Sequence, residues 1–443
     1  MSRVSAKCLL LVLLAASGVC PPVPALAQGR GGPPAGPPPA ILSGIPEGAP
    51  GGPPGLPLHG PPSWTAGAAR VRTDGIERAE ATRSQAMAEP EQRRATARAK
   101  ADPAAYELDR NGALAIRGEV LATGLEATDL AMIERKGFSV KRGEEIAGLG
   151  TTLAVLMHDG MSAVRAIGIL RRIAPHGSYA LNNVMFESGT ASAQTPSPSR
   201  PGDARGRPSK VGMIDTGVAP QVGAAPRIRL VQRNFAAGDS HPDLHGTAVA
   251  DLIARESGAV TIYAADIFGS DPHGGTSELL IRALGWMASE RVPVVNVSMV
   301  GPANPIVEAI TEKLIGLGFT IVAPVGNDGT AAKPLYPASY RGVIAVSAAG
   351  ADGRLLPEAS RVRRVDFVAP GIATVSISGR QTEIRGTSFA APVVSRLLAD
   401  QIEAPDREAA LRAIAMLVRN AQRPKKDRRW YGYGLVGEVA DAR

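Results

Sequence analysis

Ser388 stands in the stretch RGTSFAAPVV, Arg385–Val394, between a flexible Gly-Thr turn and an apolar helical run. A hydroxyl held rigidly at a helix start becomes a nucleophile when a neighbouring base takes its proton. Two motifs upstream supply the partners: DTG at Asp215–Gly217 offers a carboxylate, and HGTAVA at His245–Ala250 offers an imidazole. In such a set the imidazole carries the proton while the carboxylate orients and stabilises the charged ring. A fourth motif, APVGNDG at Ala323–Gly329, sets Asn327 just past an apolar run, where its amide can donate to an oxyanion. Each motif alone has a plainer reading: an Asp at a strand end is most often a turn residue, and Asn-Asp-Gly is itself a turn. A lone histidine at a helix start is more often structural, and a Gly-Thr-Ser triplet is common loop chemistry. What sets these residues apart is that all four motifs occur together, in the order acid, base, oxyanion donor, nucleophile.

The elements around these residues must hold them rigidly. Val211–Ile214, Thr261–Ala264, Pro293–Ser298, Phe319–Pro324 and Val343–Ser347 are short, nearly unbroken apolar runs, as expected of strands buried on both faces. Gly246–Arg255, Ser277–Ser289 and Ile306–Leu317 carry helical spacing between them, the last closed by Gly318. Strand then helix, repeated, predicts an α/β fold: a parallel sheet with helices on both faces and active groups at the C-terminal strand ends. The roughly 30 residues from Asp215 to His245 accommodate one crossover that returns the histidine beside the aspartate.

With DTG, HGTAVA, GNDG, GTSFAAP, NVSMVGP at Asn296–Pro302 and YGYGLV at Tyr431–Val436, the chain resembles the subtilisin-like serine protease family from about Lys210 to Val436. The resemblance implies a seven-stranded parallel core and peptide-bond hydrolysis. It casts Ser388 as nucleophile, His245 as general base and Asp215 as its orienting carboxylate. Asn327 and the Ser388 amide would hold the oxyanion. It also implies that substrate lies along Ser298, Met299, Val300 and Gly301 on one side and Ala323, Pro324, Val325 and Gly326 on the other. The sequence departs from the family at Ala248 and Asp251, where histidine and glycine are common, and at Val300, where glycine is usual. A branched side chain at Val300 narrows the first specificity pocket, so small or medium apolar side chains are expected before the cleaved bond. No catalytic cofactor or metal is implied, and Asp266, Asp271 and Glu278 are too scattered to read as a calcium loop.

The rest of the 443-residue chain divides by composition. Residues 1–27 open with Arg3 and Lys7, run through apolar Leu9–Ala16 and end Ala25-Leu26-Ala27, the pattern of a secretory signal. No later run is long enough to span a membrane, so the expected location is exported, periplasmic or extracellular. Cys8 and Cys20, the only cysteines, both fall in that leader, which excludes thiol catalysis and disulfides from the mature protein. Residues 28–65 are rich in Gly and Pro and read as a disordered tether; residues 66–114 are charged, with a helix over Gln85–Lys100.

Residues 115–187 have the pattern of a small α/β module, with strands at Val120–Thr123, Phe138–Lys141, Thr152–Met157 and Asn182–Phe186 and helices at Glu126–Lys136 and Met161–Ile173. Its element order resembles the ferredoxin-like intramolecular-chaperone prodomains of the family. That resemblance implies that Asn182–Glu187 lies in the cleft as a product-like inhibitor. Residues 188–209 read as an exposed linker and processing region, ahead of a catalytic domain over residues 210–443. The net charge of +8 is scattered and aromatics are only 4% of residues, which disfavours nucleic acid as a partner. The expectation is an exported serine endopeptidase that processes itself from a zymogen, acts on proteins or peptides and is inhibited by its own prodomain. The alternative is an inactive peptide-binding homologue of the cell envelope.

Overall fold

The computed structural model describes residues 90–187, 190–193, 208–240, 242–255, 258–270, 274–377, 380–424 and 428–437, all within one contact unit, Leu58–Arg443. The expected leader, the Gly/Pro tract and most of the expected 188–209 linker lie outside the described residues. Among the described residues no helix is long and apolar enough to cross a membrane.

Helix α1 (Pro90–Ala101) leads into a small sheet. Its elements are β1 (Tyr106–Leu108), β2 (Leu114–Thr123), α2 (Ala127–Arg135), β3 (Ser139–Ile146), β4 (Thr151–Met157), α3 (Ala163–Ile173) and β5 (Ser178–Asn183). The pairings are antiparallel; β2 is bonded to β1, β4 and β5, and β3 lies beyond β4. The sheet therefore begins upstream of Ala115: Tyr106-Glu107-Leu108 is too short to show a period of two. Val120, Ala122, Leu156, Ile133 and Leu170 close this module's core beneath α2 and α3.

Two short strands follow, β6 (Phe186–Glu187) and β7 (Thr190–Ala193). The large unit then comprises β8 (Ser209–Asp215), β9 (Ile228–Asn234), α4 (Leu244–Arg255), β10 (Val260–Asp266), α5 (Ser277–Ser289), β11 (Val294–Val297), β12 (Met299–Val300), α6 (Pro305–Gly316), β13 (Thr320–Pro324) and β14 (Ile344–Ala349). It ends with β15 (Phe367–Pro370), β16 (Ile372–Ile377), β17 (Arg380–Arg385), α7 (Thr387–Ala399) and α8 (Arg407–Asn420). Seven strands form one parallel sheet in the order β15-β14-β13-β11-β8-β10-β9. The apolar runs of the sequence locate five of them. Strands β9 and β15 escape notice because β9 carries Arg229, Gln232 and Arg233 at the sheet edge and β15 is only four residues long.

Side chains alternate across the sheet. Ile214, Val295, Val297, Ile321 and Ala323 pack with α5 and α6, while Val211, Met213, Val294, Val322 and Val346 pack with α4, α7 and α8. Helix starts are fixed by side-chain caps: Thr276 accepts from Leu279 N (3.4 Å), Asn304 from Ile306 and Val307 N (3.1 and 3.2 Å), and Asp406 from Ala409 N (2.7 Å). Helix α6 ends as a Schellman turn: Gly318 N bonds Ile315 O (3.0 Å), Phe319 N bonds Leu314 O (3.1 Å), and Gly318 has a φ of +91°.

The small module packs along α5 and α6 and is tied by side chains to their N-terminal ends. Asn304, which caps α6, also donates through Nδ2 to Leu181 O (2.9 Å) and Asn183 Oδ1 (3.0 Å). Arg142 grips Glu278 with two bonds of 2.6 Å, and Asn182 accepts from Glu278 N at 3.1 Å. Bidentate pairing of this kind fixes orientation as well as position.

Candidate active site

The four motifs converge at the C-terminal end of the large sheet. Asp215 is the last residue of β8 and 1% exposed. Its Oδ1 accepts from the following amide, Thr216 N (2.7 Å), and lies 2.8 Å from His245 Nδ1. That pairing fixes the ring so that Nε2 faces away from the aspartate, the orientation a general base requires. His245 enters on the first turn of α4, its own amide bonded to Asp243 Oδ1 (2.8 Å) and its ring 5.1 Å from that of Phe389. Gly246 allows this approach: its N–H donates to Thr216 Oγ1 at 2.8 Å, and a Cβ there would fall 2.3 Å from Thr216 O.

Ser388 is fully buried in the first turn of α7, behind Gly386 with a φ of 141°. Two serines grip each other across the cleft: Ser298 Oγ donates to Ser388 O (3.1 Å), and Ser388 Oγ donates to Ser298 O (3.4 Å). Asn296 Nδ2 donates to Ser298 Oγ (2.6 Å), and Ser395 Oγ, two turns along α7, donates to Asn296 Oδ1 (3.1 Å). A buried, satisfied polar chain thus locks the helix start to β11, and nothing in the sequence marks Asn296 or Ser395 for this task.

Asn327 follows β13 in a loop where Gly326, at φ +97°, accepts from Ser360 N and where Asp328 N donates to Ser360 Oγ. The Asn327 Oδ1 accepts from Thr387 N (3.0 Å), so the amide is held by its oxygen and presents Nδ2 as the donor end, one residue from Ser388. Of the acidic residues considered for calcium, Asp266 bonds Phe268 N, Gly269 N and Ser240 Oγ, and Glu278 is held by Arg142. Asp271 lies outside the described residues.

A strand of the chain itself occupies the cleft. Phe186 and Glu187 of β6 pair antiparallel with Val300 and Met299 of β12, just before Gly301 bridges to Tyr336. On the opposite side Met185 N donates to Gly275 O (2.5 Å) and Val184 bridges to Thr276. Ala323, Pro324 and Val325 line the neighbouring strand end, where Val325 N bonds Val346 O (3.0 Å). Burial pushes the Glu187 carboxyl above its ordinary range; the His245 charge opposes this, and Asp215 and Asp243 reinforce it.

Helix α1 covers that strand. Arg94 stacks on Phe186 (4.8 Å to the ring centroid) and donates to Glu187 O (3.3 Å), while Ala95 joins Tyr106, Leu114, Val184 and Phe186 in a small core. Gln92 accepts from Lys333 Nζ (3.1 Å). Burial and the Asp328 charge push the Glu91 carboxyl up to about 7, against Arg94 and Lys333. No partner for α1 is legible in the sequence, because its Ala/Arg/Glu composition carries almost no apolar stripe.

Beyond β6 the chain re-emerges as β7, paired antiparallel with β17 on the strand that runs into Ser388. The sequence reads residues 188–209 as exposed linker; small polar residues with no apolar alternation conceal a strand whose hydrogen bonds come from its backbone.

Solved structures with a similar fold include fervidolysin from Fervidobacterium pennivorans, described as a keratinolytic enzyme related to subtilisin: TM-score 0.61, 19% identity, 75% of this chain and 62% of that one. Another is the epidermin leader peptide processing serine protease of Staphylococcus aureus, with TM-score 0.57, 16% identity, and 73% and 98% covered. In sequence the chain is 28% identical over 166 residues to subtilisin E of Bacillus subtilis (strain 168), which covers 34% of this chain and 43% of that protein. It is 27% identical over 218 residues to the major intracellular serine protease of the same organism, covering 44% and 68%. The match thus spans about two-fifths of the length of the curated subtilisins. The model of the Subtilase family (Peptidase_S8) matches residues 206–434, just over half of the chain, and the chain belongs to that family.

Proposed function

We propose that this protein is an exported serine endopeptidase, made as a zymogen, in which Ser388, His245 and Asp215 hydrolyse peptide bonds. Ser388 Oγ attacks the carbonyl carbon as His245 Nε2 takes its proton; Asp215 stabilises the imidazolium formed. The carbonyl oxygen becomes an oxyanion held by Asn327 Nδ2 and the Ser388 amide. Collapse breaks the C–N bond, and the proton on His245 leaves with the amine. Water, deprotonated by His245, then attacks the acyl-enzyme and restores Ser388. These steps need no cofactor, since charge is handled by the imidazole and fixed donors. Residues 115–187 act as an inhibitory prodomain, Ser298–Gly301 and Ala323–Gly326 as the substrate walls, and the leader directs export.

One observation carries this reading: the chain itself runs through the cleft, with β6 on β12 before the site and β7 on β17 after it. The bond that Ser388 cuts first accordingly lies between Glu187 and Thr190. Intact-mass and N-terminal sequencing of the full chain and of its Ser388→Ala variant test this. The wild type should yield a new N-terminus between residues 188 and 190, and the variant should stay whole. A variant cut at the same bond when purified alone would overturn self-processing.

A further inference from the structure

Helix α7 carries Pro392 within it, four residues after Ser388. Proline has no N–H, so Ser388 O lacks the donor that an α-helix supplies from that position. The Ser298 hydroxyl stands in for it, donating to Ser388 O at 3.1 Å. A hydroxyl has one hydrogen, and it stays on Ser388 O only while Ser298 Oγ is the acceptor toward its other neighbour. That neighbour is Asn296, whose Nδ2 donates to Ser298 Oγ at 2.6 Å. The same amide turned over would present Oδ1, draw the hydroxyl hydrogen to itself and leave Ser388 O unpaired. Ser395 decides the orientation: its Oγ donates to Asn296 Oδ1 at 3.1 Å, while its other acceptor, Ala391 O at 3.0 Å, already belongs to the helix ladder. All four residues are buried.

We propose that Asn296 and Ser395 are positioning residues for the nucleophile: they aim the Ser298 hydroxyl at the Ser388 carbonyl, in place of the amide that Pro392 lacks. This deepens the endopeptidase reading and rests on it. The carbonyl and the side chain of Ser388 are borne on the same backbone, so a carbonyl held from Ser298 sets where Oγ sits. The return bond, Ser388 Oγ to Ser298 O at 3.4 Å, closes the clasp from the other side. Packing alone does not call for polar groups here. Val294, two residues earlier on the same face of β11, belongs to an apolar cluster with Phe389 and Ala391. Burying Asn296, Ser298 and Ser395 in such surroundings costs desolvation that apolar side chains avoid, and makes their mutual hydrogen bonds correspondingly strong.

A double-mutant cycle between this relay and Pro392→Ala, which restores an N–H for Ser388 O, tests it. The substrate is a quenched fluorescent peptide of the chain's own residues 184–193, and kcat, KM and thermal denaturation are measured on self-processed protein. Ser298→Ala should lower kcat roughly tenfold to 100-fold at nearly constant KM, as expected of a nucleophile displaced by up to about 1 Å. Ser395→Ala should act in the same sense by a smaller factor. In the Pro392→Ala chain both losses should shrink to within about threefold, because the helix amide now holds the carbonyl and the two sites are coupled. A folded variant that stays uncut is read the same way, by whether Pro392→Ala restores self-cleavage. Equal losses with and without Pro392, a higher KM at unchanged kcat, or variants that lose thermal stability yet keep wild-type kcat would overturn the inference alone. A wild type that neither cuts the peptide nor takes a fluorophosphonate would overturn the endopeptidase reading and this inference with it.

Discussion

Phe186 stands directly opposite Val300, two residues beyond Ser298, in an antiparallel pair that leaves Val300 only 2% exposed. The strand that would hold substrate is therefore bonded to the chain's own segment, and a branched side chain sits where that segment is gripped. Val300→Gly removes it. The variant should gain roughly tenfold in kcat/KM for peptides with Phe before the cut relative to those with Ala, since pocket methylenes discriminate at about that level. An unchanged ratio would show that Val300 does not wall the pocket.

Asn327 is held by its oxygen to Thr387 N and offers its nitrogen toward the Ser388 turn. In Asn327→Ala, kcat should fall roughly 100-fold to 1000-fold with little change in KM, because the donor acts on charge that develops only in the transition state. Steady-state kinetics read both terms; a rise in KM at unchanged kcat would assign Asn327 to substrate binding.

Gly246 lies against backbone that cannot yield, since an added Cβ would meet Thr216 O at 2.3 Å. Gly246→Ala should lose about 1–3 kcal/mol of stability by overpacking and should lose activity beyond that by separating His245 from Asp215. Gly316→Ala, where a Cβ meets nothing within 4 Å, is the control and should be neutral or slightly stabilising. Thermal denaturation and kcat together decide; equal effects at both positions would contradict the close approach.

Glu91 supplies a pH dependence. Docked, its carboxyl is pushed from 4.5 to about 7 by burial and then by Asp328, so the docked helix holds a proton more tightly than the released one. A raised carboxyl favours docking fully below its ordinary value and loses that contribution as pH rises toward the raised one. The amides of α1 in full-length Ser388→Ala should therefore exchange with solvent more readily at about pH 8 than at about pH 5, after correction for intrinsic rates. Adding Glu91→Gln should shrink the difference; the Glu187 carboxyl, raised in the same sense, contributes the rest. Protection independent of pH would remove the effect.

The parallel sheet was legible because its strands are buried on both faces, so Val211–Ile214 and Phe319–Pro324 stand out as apolar runs. Asp215 and Asn327 were locatable because each follows such a run directly, and Ser388 because its turn precedes a helix. What escaped is backbone or composite in origin. Strand β7 is Thr-Ala-Ser-Ala, bonded to β17 through main-chain groups that any sequence carries. The clasp of Arg94 on Phe186 joins residues 92 positions apart, and neither is unusual where it stands. Likewise Ser395 and Asn296 form one network only once α7 packs on β11.

The central claim is that Ser388 is an activated nucleophile, and covalent labelling reads that directly. A fluorophosphonate should label the processed wild-type protein at Ser388 and leave Ser388→Ala unlabelled. An unlabelled, folded and processed wild type, or a labelled variant, would contradict the account.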